Sequence, residues 1–437
     1  MTELVPKRVL VLGGYGLIGA NVARALSERG HEVIALGRDL GAARRVLPGF
    51  PWVIRDMRAL TKPDDWLPLV QDVDFVVNCA GALQDNLRDN LEVVHLHAIG
   101  ALVLACEKTN TSIVQISAVG ANPHSVLPFY RTKAEGDALI RESHVDWWIF
   151  RPGLVIAPSS YGGTTMIRMM AGVPLVQPIA LPHAPVQSVS VRDVAKAVTR
   201  AVEGKTPSHS EADLVEDKTR ALVEVVAMTR RWLGFPAAGF TWTLPGWTVR
   251  AVGRIADLFG VFGWRSPMRT TAVKALELGV LGDAKQTRQA LGRPACALED
   301  TFHDMQARVE DRHFARIQLL APFLILSISV AWILQGLSGL FGINELVQDM
   351  SGRGIPVLLS RSVVAFLGIV GVVLGISLLF RKLALRTLLV MVFVTIFYGV
   401  AVTLLAPWAW TDPFGSGADI LPITVSLLIA RVLMDTR

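Results

Sequence analysis

The chain has 437 residues, a length that predicts two or more domains rather than one. Its 43 Lys and Arg residues exceed its 37 Asp and Glu residues only modestly and are dispersed, which excludes the basic runs typical of nucleic-acid-binding proteins. Residues 1–313 have an ordinary globular composition, whereas residues 314–437 are dominated by Leu, Val, Ile, Gly and Phe. We therefore predict two domains with this boundary and no nucleic-acid partner. The nine histidines and three cysteines show no metal-ligand spacing, so no metal site is predicted.

Residues 7–39 have the pattern of a strand, a glycine turn, a helix and a second strand. Gly13, Gly16 and Gly19 separate an apolar run at 9–12 from a helical pattern at 20–29, and a second apolar run covers 33–36. Glycine allows a tight turn and lets backbone and helix N-terminus approach a pyrophosphate. This predicts a dinucleotide site; the alternative is a glycine-rich turn in an unrelated α/β domain. The predicted cofactor contacts in the turn are Gly13, Tyr15, Gly16, Leu17, Ile18 and Gly19.

The residues after the second strand indicate which dinucleotide binds. NAD-binding domains place an acidic side chain there for the ribose hydroxyls, whereas NADP-binding ones offer a basic side chain to the 2′-phosphate. This chain has Gly37-Arg38 at that point, which favours NADP(H) bound by Arg38. Adjacent Asp39 leaves NAD(H) open, and a solvated arginine at a strand end is the other interpretation.

Strand and helix patterns continue to alternate along the globular part. Apolar runs at 52–55, 74–78, 112–116 and 147–151 predict strands, and residues 91–109 and 130–143 predict helices. The expected fold is α/β, a doubly wound parallel sheet of the Rossmann type. Ligands bind beyond the C-terminal strand ends, which here carry Gly13, Arg38, Asp56, Asn78, Ser117 and Arg151. Residues 200–313 are expected to form a smaller substrate-side region.

Several motifs in this part point to one superfamily: GGYGLIG, NCAG at 78–81, ISAVGA at 116–121, FYRTKAEGDAL at 129–139, RPG at 151–153 and VSVRDVAKAV at 189–198. Together they resemble the short-chain dehydrogenase/reductase superfamily, in particular the atypical branch that includes the NADPH-binding accessory subunit of respiratory complex I. The resemblance implies that Asp56 contacts adenine. It also implies that Asn78, Ala80 and Gly81 line the cofactor cleft and that Pro152 passes near nicotinamide.

The catalytic motif departs from that of the superfamily. Active members carry Tyr-x-x-x-Lys, in which the lysine lowers the pKa of the phenol one helical turn away. Here Lys133 aligns with the lysine, but Phe129 occupies the tyrosine position and Tyr130 is the next residue. Either Tyr130 is a displaced acid/base with Ser117 as its hydroxyl partner, or proton transfer is absent and Lys133 only holds the nicotinamide ribose. Ser117 also fits a strand-end serine that bonds local backbone.

Aromatic and basic residues are interspersed near the end of the globular part: Trp242, Trp247, Phe259, Phe262 and Trp264 with Arg250, Arg254, Arg265 and Arg269. One interpretation is an amphipathic surface that lies on the bilayer. The other is an aromatic core with ordinary surface arginines.

The apolar part contains four hydrophobic stretches, near 317–341, 357–380, 383–406 and 418–434. The first three are long enough to cross a hydrocarbon core of about 30 Å, and the fourth is at the short limit. Basic residues before the first stretch, between the second and third, and at Arg437 place both ends of the chain on the cytoplasmic side, although Arg353 and Arg361 count against this. The stretches resemble the DoxX-like family of four-helix membrane proteins, which implies a link to quinone-dependent electron transfer.

These observations lead to two hypotheses about function. The first is an NADP(H)-binding oxidoreductase anchored by several spans in the inner (plasma) membrane, with the bilayer as partner and a lipophilic or quinone-like substrate at the cytoplasmic face. The second, motivated by Phe129, is a non-catalytic nucleotide-binding subunit that stabilises a membrane protein complex or senses redox state.

Overall fold

The computed structural model describes residues 5–81, 90–264, 266, 268–352, 354, 356–405, 407–411 and 417–434. The chain forms two compact units. The first unit comprises Met1–Asp257 and Ser266–Ala315, and the second comprises Leu258–Arg265 and Arg316–Arg437. Arg265, Arg353, residue 406 and Arg437, which entered the predictions above, lie outside the described residues.

A seven-stranded sheet forms the centre of the first unit. Its strands are β1 Arg8–Leu12, β2 Glu32–Gly37, β3 Trp52–Ile54, β4 Phe75–Asn78, β5 Ser112–Ile116, β6 Trp147–Pro152 and β11 Ser210–Leu214. They lie in the order β3-β2-β1-β4-β5-β6-β11, and every neighbouring pair is parallel. The predicted doubly wound parallel sheet is confirmed.

Three two-stranded pairs accompany the main sheet. They are β7 Leu154–Ile156 with β10 Ser188–Ser190, β8 Val176–Ile179 with β13 Phe240–Thr243, and β9 Pro185–Val186 with β12 Arg220–Ala221.

Up to Asp304, twelve α-helices begin in the described part of the first unit. They are α1 Leu17–Glu28, α2 Leu40–Val46, α3 Pro63–Val70, α4 Ala98–Thr109, α5 Pro128–Arg141, α6 Gly163–Gly172, α7 Val191–Val202, α8 Leu222–Trp232, α9 Gly246–Val261, α10 Thr270–Glu277, α11 Ala284–Leu291 and α12 Leu298–Asp304. A 3₁₀ turn at Met57–Ala59 and a π-helical turn at Val93–His97 complete the described helical elements of this unit.

The sheet is buried on both faces, which explains why the sequence of β1 is continuously apolar. Val9 and Val11 point into the core formed with α1 and α7, whereas Leu10 and Leu12 point into the core formed with α3, α4 and α5. Strands covered on both faces lack the alternation of polar and apolar residues. The apolar run that predicted β1 therefore reflects two cores rather than one.

A third core lies among α6, α8 and α12, and it also includes Ala315 at the end of the unit's chain. Gly172 of α6 allows this approach, since a Cβ there would lie 3.2 Å from the Ala315 Cβ. The core is made of chain that follows β6, and its residues from 222 to 305 belong to the 200–313 region expected to form the substrate side.

The second unit is helical. Its helices are α13 Val309–Phe341, which begins in the first unit, α14 Ile343–Gly352, α15 Val357–Leu378, α16 Arg381–Leu405 and α17 Ile420–Met434, with a 3₁₀ turn at Pro407–Trp410. Among the described residues, α13, α15 and α16 are long and apolar enough to cross a membrane, and α17 is shorter. Helix α13 starts earlier than the apolar pattern indicated, because its first turns are polar, and the short helix α14 was not predicted.

Glycines bring α13 and α15 into backbone contact. A Cβ on Gly336 would lie 2.5 Å from the Gly368 carbonyl oxygen, and one on Gly375 would lie 2.8 Å from that of Ser329. The Ser329 hydroxyl donates to the Gly375 carbonyl at 2.7 Å. Membrane helices associate through small residues and interhelical hydrogen bonds of this kind, because lipid provides no hydrophobic drive between them.

We expect Gly375→Leu to lower the stability of the second unit by about 1–3 kcal/mol, because overpacking forces the helices apart. Gly339→Leu is the matched control, since nothing lies within 4 Å of a Cβ at that position. Thermal unfolding of the full chain in detergent measures the difference. Equal midpoints for the two variants would contradict the packing described here.

Candidate nucleotide-binding site

The turn between β1 and α1 has room for backbone only. Gly13 has φ +69°, and a Cβ on it would lie 2.9 Å from the Ala80 Cα. A Cβ on Gly19 would lie 2.3 Å from the Gly13 carbonyl oxygen. Gly16 caps α1 without a side-chain hydrogen bond, and Leu17 and Ile18 form the first turn. The helix N-terminus is thus open to an anion, and this cradle fits the pyrophosphate of a dinucleotide.

The end of β2 places Tyr15, Arg38 and Asp39 beside this turn. The Tyr15 ring lies over Gly37, whose Cβ would be 2.4 Å from Tyr15 Cε1, and the Arg38 backbone N–H donates to the Tyr15 hydroxyl at 3.4 Å. The Asp39 carboxylate accepts from the Ala42 N–H at 2.8 Å and so caps α2. One of its two oxygens is thereby engaged by the protein, and Arg38 and Asp39 are both exposed.

Asp56 follows β3 and is engaged by Arg58. Its carboxylate accepts from the Arg58 backbone N–H at 3.0 Å and from the guanidinium at 2.6 Å. These side-chain bonds, together with the charges of Arg58 and Arg38, lower the pKa of Asp56. The predicted contact with adenine would therefore use an ionised carboxylate shared with Arg58.

Asn78 at the end of β4 acts within the protein. Its side-chain amide donates to the Gln115 side chain at 2.8 Å, and its oxygen accepts from the Ala80 N–H at 3.0 Å. Burial raises the pKa of the adjacent Cys79 thiol to about 12, so the thiol is protonated at neutral pH. The side chain of Asn78 thus shapes the backbone of Ala80 and Gly81, which lies against the glycine turn.

Lys133 reaches this edge from α5. Its ammonium donates to the Ile116 carbonyl at 2.9 Å, and a Cβ on Gly81 would lie 3.3 Å from Lys133 Nζ. Burial lowers the pKa of Lys133, and the nearby Asp137 charge opposes that shift. Lys133 therefore lies beside Gly81, one of the residues that the resemblance places in the cofactor cleft.

His95 is a member of the site that sequence analysis missed. It lies in the π-helical turn, and a Cβ on Gly81 would be 3.5 Å from its Nε2. Its Nδ1 lies 2.9 Å from the Thr132 hydroxyl, which itself donates to the Pro128 carbonyl; this assigns the ring proton to Nδ1. Burial and the Lys133 charge keep the pKa of His95 well below its usual range, so the ring is neutral.

Nothing in the sequence marks His95 as part of this cleft, since its position depends on a π-helical turn. Histidines entered the sequence predictions only as metal ligands. In the described part of the chain, no group of three or more His, Cys, Asp or Glu side chains is arranged to hold a metal ion.

Ser117 is held by Asp137, a second residue that sequence analysis missed. The Ser117 hydroxyl donates to Asp137 Oδ2 at 2.5 Å, Gln115 donates to Oδ1 at 3.4 Å, and the Arg151 guanidinium lies 3.8 Å away. Asp137 is completely buried, and burial raises its pKa. The sequence could have identified Asp137, because it lies four residues after Lys133 and therefore on the same face of the helix.

Phe129 and Tyr130 are neighbours on α5, and their rings meet edge-on at 5.2 Å between centroids. The Phe129 ring meets His95 edge-on at 6.0 Å between centroids, so it lies beside the cleft. The Tyr130 ring packs on Gly120 instead, 3.6 Å from the position of a Cβ there, and burial raises its pKa. Among the described residues its hydroxyl has no hydrogen-bond partner.

Pro152, the remaining predicted contact, is buried at the end of β6, where its carbonyl accepts from the Val119 N–H at 3.3 Å.

Comparison with known families agrees with both parts of the chain. Residues 13–205 match the NAD(P)H-binding family model, and residues 329–428 match the DoxX-like family model. The chain therefore combines a domain that matches the NAD(P)H-binding family with one that matches the DoxX-like family. Both predicted resemblances are confirmed at this level, and the apolar helices of the second unit are consistent with membrane association.

Individual relatives are distant. The photosystem II assembly factor Ycf39 of Synechocystis is 23% identical over 235 residues, which are 52% of this chain and 68% of that protein. The epimerase Mth375 of Methanothermobacter thermautotrophicus is 16% identical with a TM-score of 0.53, over 69% of this chain and 92% of that one. The enzyme WbmG of Bordetella bronchiseptica, solved with NAD, is 16% identical with a TM-score of 0.51, over 70% and 94%. At these identities the two structures show the fold alone.

We expect Gly19→Ala to abolish detectable NADPH binding and to destabilise the first unit, because its Cβ would overlap the Gly13 carbonyl oxygen. Gly163→Ala is the control, since the nearest atom to its Cβ is a leucine methyl at 3.9 Å. Binding is measured by the fluorescence of NADPH titrated with the purified full chain. Unchanged affinity in Gly19→Ala would refute the assignment of this turn to the cofactor.

Proposed function

We propose that this chain is a membrane-anchored, NADP(H)-dependent oxidoreductase that reduces a quinone-like, lipophilic acceptor at the cytoplasmic face of the plasma membrane. The observation that carries the proposal is the edge of the cleft around Gly81, where Lys133 and a neutral His95 are present but a phenylalanine replaces the tyrosine. In this proposal the DoxX-like helices of the same chain anchor it in the membrane.

The preference for NADP(H) is supported by how the end of β2 is used. One oxygen of the Asp39 carboxylate accepts the N-cap hydrogen bond of α2, so fewer acceptor sites remain for ribose hydroxyls. The exposed Arg38 side chain starts beside the Tyr15 ring and offers a planar guanidinium to a 2′-phosphate.

Arg38→Ala is expected to weaken NADPH binding by about 10- to 100-fold, because a charge-assisted hydrogen bond contributes roughly 1.5–3 kcal/mol. Binding of NADH should change little. Arg44→Ala, which removes an exposed arginine from α2, is the matched control. Isothermal titration with both nucleotides tests this, and equal losses for NADH and NADPH would contradict a role in phosphate recognition.

The nature of the acceptor follows from the missing tyrosine. When bound, the dihydronicotinamide supplies a hydride, which carries two electrons and one proton. A ketone that accepts hydride becomes an alkoxide, and because the pKa of the corresponding alcohol is as high as that of water, the step needs a general acid. A quinone becomes a phenolate-like anion whose pKa is near the ~10 of tyrosine, and it can take the second proton from solvent. Phe129 is thus compatible with a quinone and unfavourable for a ketone.

The residues of the cleft take correspondingly simple roles in this proposal. Lys133 holds the nicotinamide ribose, and the Phe129 ring covers the acceptor side beside His95. The Ser117 hydroxyl donates its hydrogen bond to Asp137, so in this proposal Ser117 takes no part in proton transfer. Burial raises the pKa of Tyr130, the reverse of what an activated phenol requires.

The cytoplasmic orientation is supported by how the arginines brace one end of the second unit. The Arg381 guanidinium donates to the Met434 carbonyl at 2.9 Å, and that of Arg431 donates to the Leu385 carbonyl at 2.9 Å. Lys382 and Arg386 add further positive charge at the same connection. Positive residues favour the cytoplasmic side, so this end of α15, α16 and α17 faces the cytoplasm.

The decisive measurement is the loss of reduced-nicotinamide absorbance when the purified full chain in lipid nanodiscs receives NADPH and a quinone. We expect quinone-dependent oxidation that persists within about tenfold in Tyr130→Phe, because general acid catalysis would contribute 10²–10⁴-fold if Tyr130 supplied the proton. Loss of turnover in Tyr130→Phe would instead establish the displaced acid/base. Phe129→Tyr, which restores Tyr-x-x-x-Lys, should add activity toward ketones.

A non-catalytic role is the second candidate, and Phe129 favours it too. A nucleotide-binding subunit that stabilises or senses a membrane complex needs the glycine turn and Lys133 but no proton donor. The relative Ycf39 is by name an assembly factor, which supports this alternative. It would be preferred if NADPH bound tightly and its absorbance persisted with every quinone tested.

A further inference from the structure

Helix α9, Gly246–Val261, buries small residues and exposes large apolar ones, which is the reverse of an ordinary surface helix. Gly253, Ala256 and Gly260 are buried, and a Cβ on Gly253 would lie 2.9 Å from the Thr270 side chain. Trp247, Ile255, Leu258 and Val261 are each more than half exposed and recur at helical spacing, so they form one stripe. We call these four residues the outer face of α9.

We propose that α9 is an interfacial membrane helix whose outer face is inserted into the headgroup and acyl boundary of the bilayer. This inference stands independently of whether the nucleotide site turns over. A stripe of Trp, Ile, Leu and Val on a helix exposed to water is costly, and the lipid interface removes that cost.

The end of α9 lies where the bilayer surface is expected. Residues Leu258–Arg265 belong to the second unit. There the Trp264 indole donates to the Leu379 carbonyl at 2.5 Å, the Phe262 and Phe380 rings meet edge-on at 5.1 Å, and the Arg381 N–H donates to the Phe262 carbonyl at 3.0 Å. Arg381 and Lys382 end the apolar span of α15, which marks this level as the membrane boundary. The last turn of α9 is therefore fixed at the interface.

The charges of α9 also suit a bilayer. Arg250 and Arg254 are exposed and lie one turn apart, Arg254 within the arc of the outer face and Arg250 at its edge, so they can extend to lipid phosphates. The acidic residue of this helix, Asp257, bonds the Arg269 guanidinium at 2.9 Å and the Thr270 hydroxyl at 2.5 Å. The helix consequently offers two outward positive charges, with its carboxylate held by the protein. The preceding strand β13 adds two exposed aromatic rings, Phe240 and Trp242.

The test uses the full chain in nanodiscs of phosphatidylcholine with a minority of phosphatidylglycerol. Ile255→Cys and Leu258→Cys are labelled with an environment-sensitive fluorophore, and Leu104→Cys on α4, with similar exposure, is the matched control. Wild-type protein measures background labelling of Cys79, Cys106 and the partly buried Cys296; burial raises the pKa of all three thiols, and that of Cys79 and Cys106 to about 12. Quenching is then compared between acyl-chain nitroxide lipid and aqueous iodide.

We expect nitroxide lipid to quench the labels at 255 and 258 several-fold more than the label at 104, and iodide to quench them several-fold less. Quenching equal to that at 104 would overturn the proposal, since the outer face would then be in water. Shielding from both quenchers, with cross-linking between copies through Ile255→Cys, would overturn it in favour of a second copy of the chain covering this face.

Discussion

The nucleotide site depends on three segments meeting where no side chain can fit. The end of β1, the start of α1 and the end of β4 approach so closely that Gly13 and Gly19 have no room for a Cβ. This contact sets the distance between the helix N-terminus and the strand edge, and it brings the backbone of Ala80 and Gly81 alongside. Asn78 then fixes the same edge from within, since its amide bonds both Gln115 and the Ala80 N–H.

Helix α5 determines what chemistry this cradle can support. One face of it carries Lys133 and Asp137, which lie among Ile116, Ser117 and the cleft. Because successive helical residues are rotated by about 100°, moving the phenol from 129 to 130 takes it off that face. The phenyl ring at 129 keeps the shape of the cleft beside His95 while removing its proton donor. The glycine turn and Lys133 are thus kept, whereas the phenol of Tyr-x-x-x-Lys is not.

Each of the two units is stabilised internally by a different kind of interaction. The first relies on two apolar cores on either side of a parallel sheet. The second relies on glycines that let α13 and α15 touch, and most of the large apolar side chains of these helices point outward. Burial from water stabilises a core in the first case, whereas lipid is as apolar as the side chains in the second, so close backbone packing must supply the attraction.

The sequence alone determined the elements whose signals are local. The glycine spacing, the apolar runs and the long hydrophobic stretches predicted the doubly wound sheet, the cofactor turn and the apolar helices, because each depends on chain neighbours. Only the tertiary structure decided that Asp39 caps a helix, that Ser117 donates to Asp137 and that His95 enters the cleft through a π-helical turn. It also decided which side of α9 is covered. These depend on contacts between segments far apart in the chain, which no local pattern encodes.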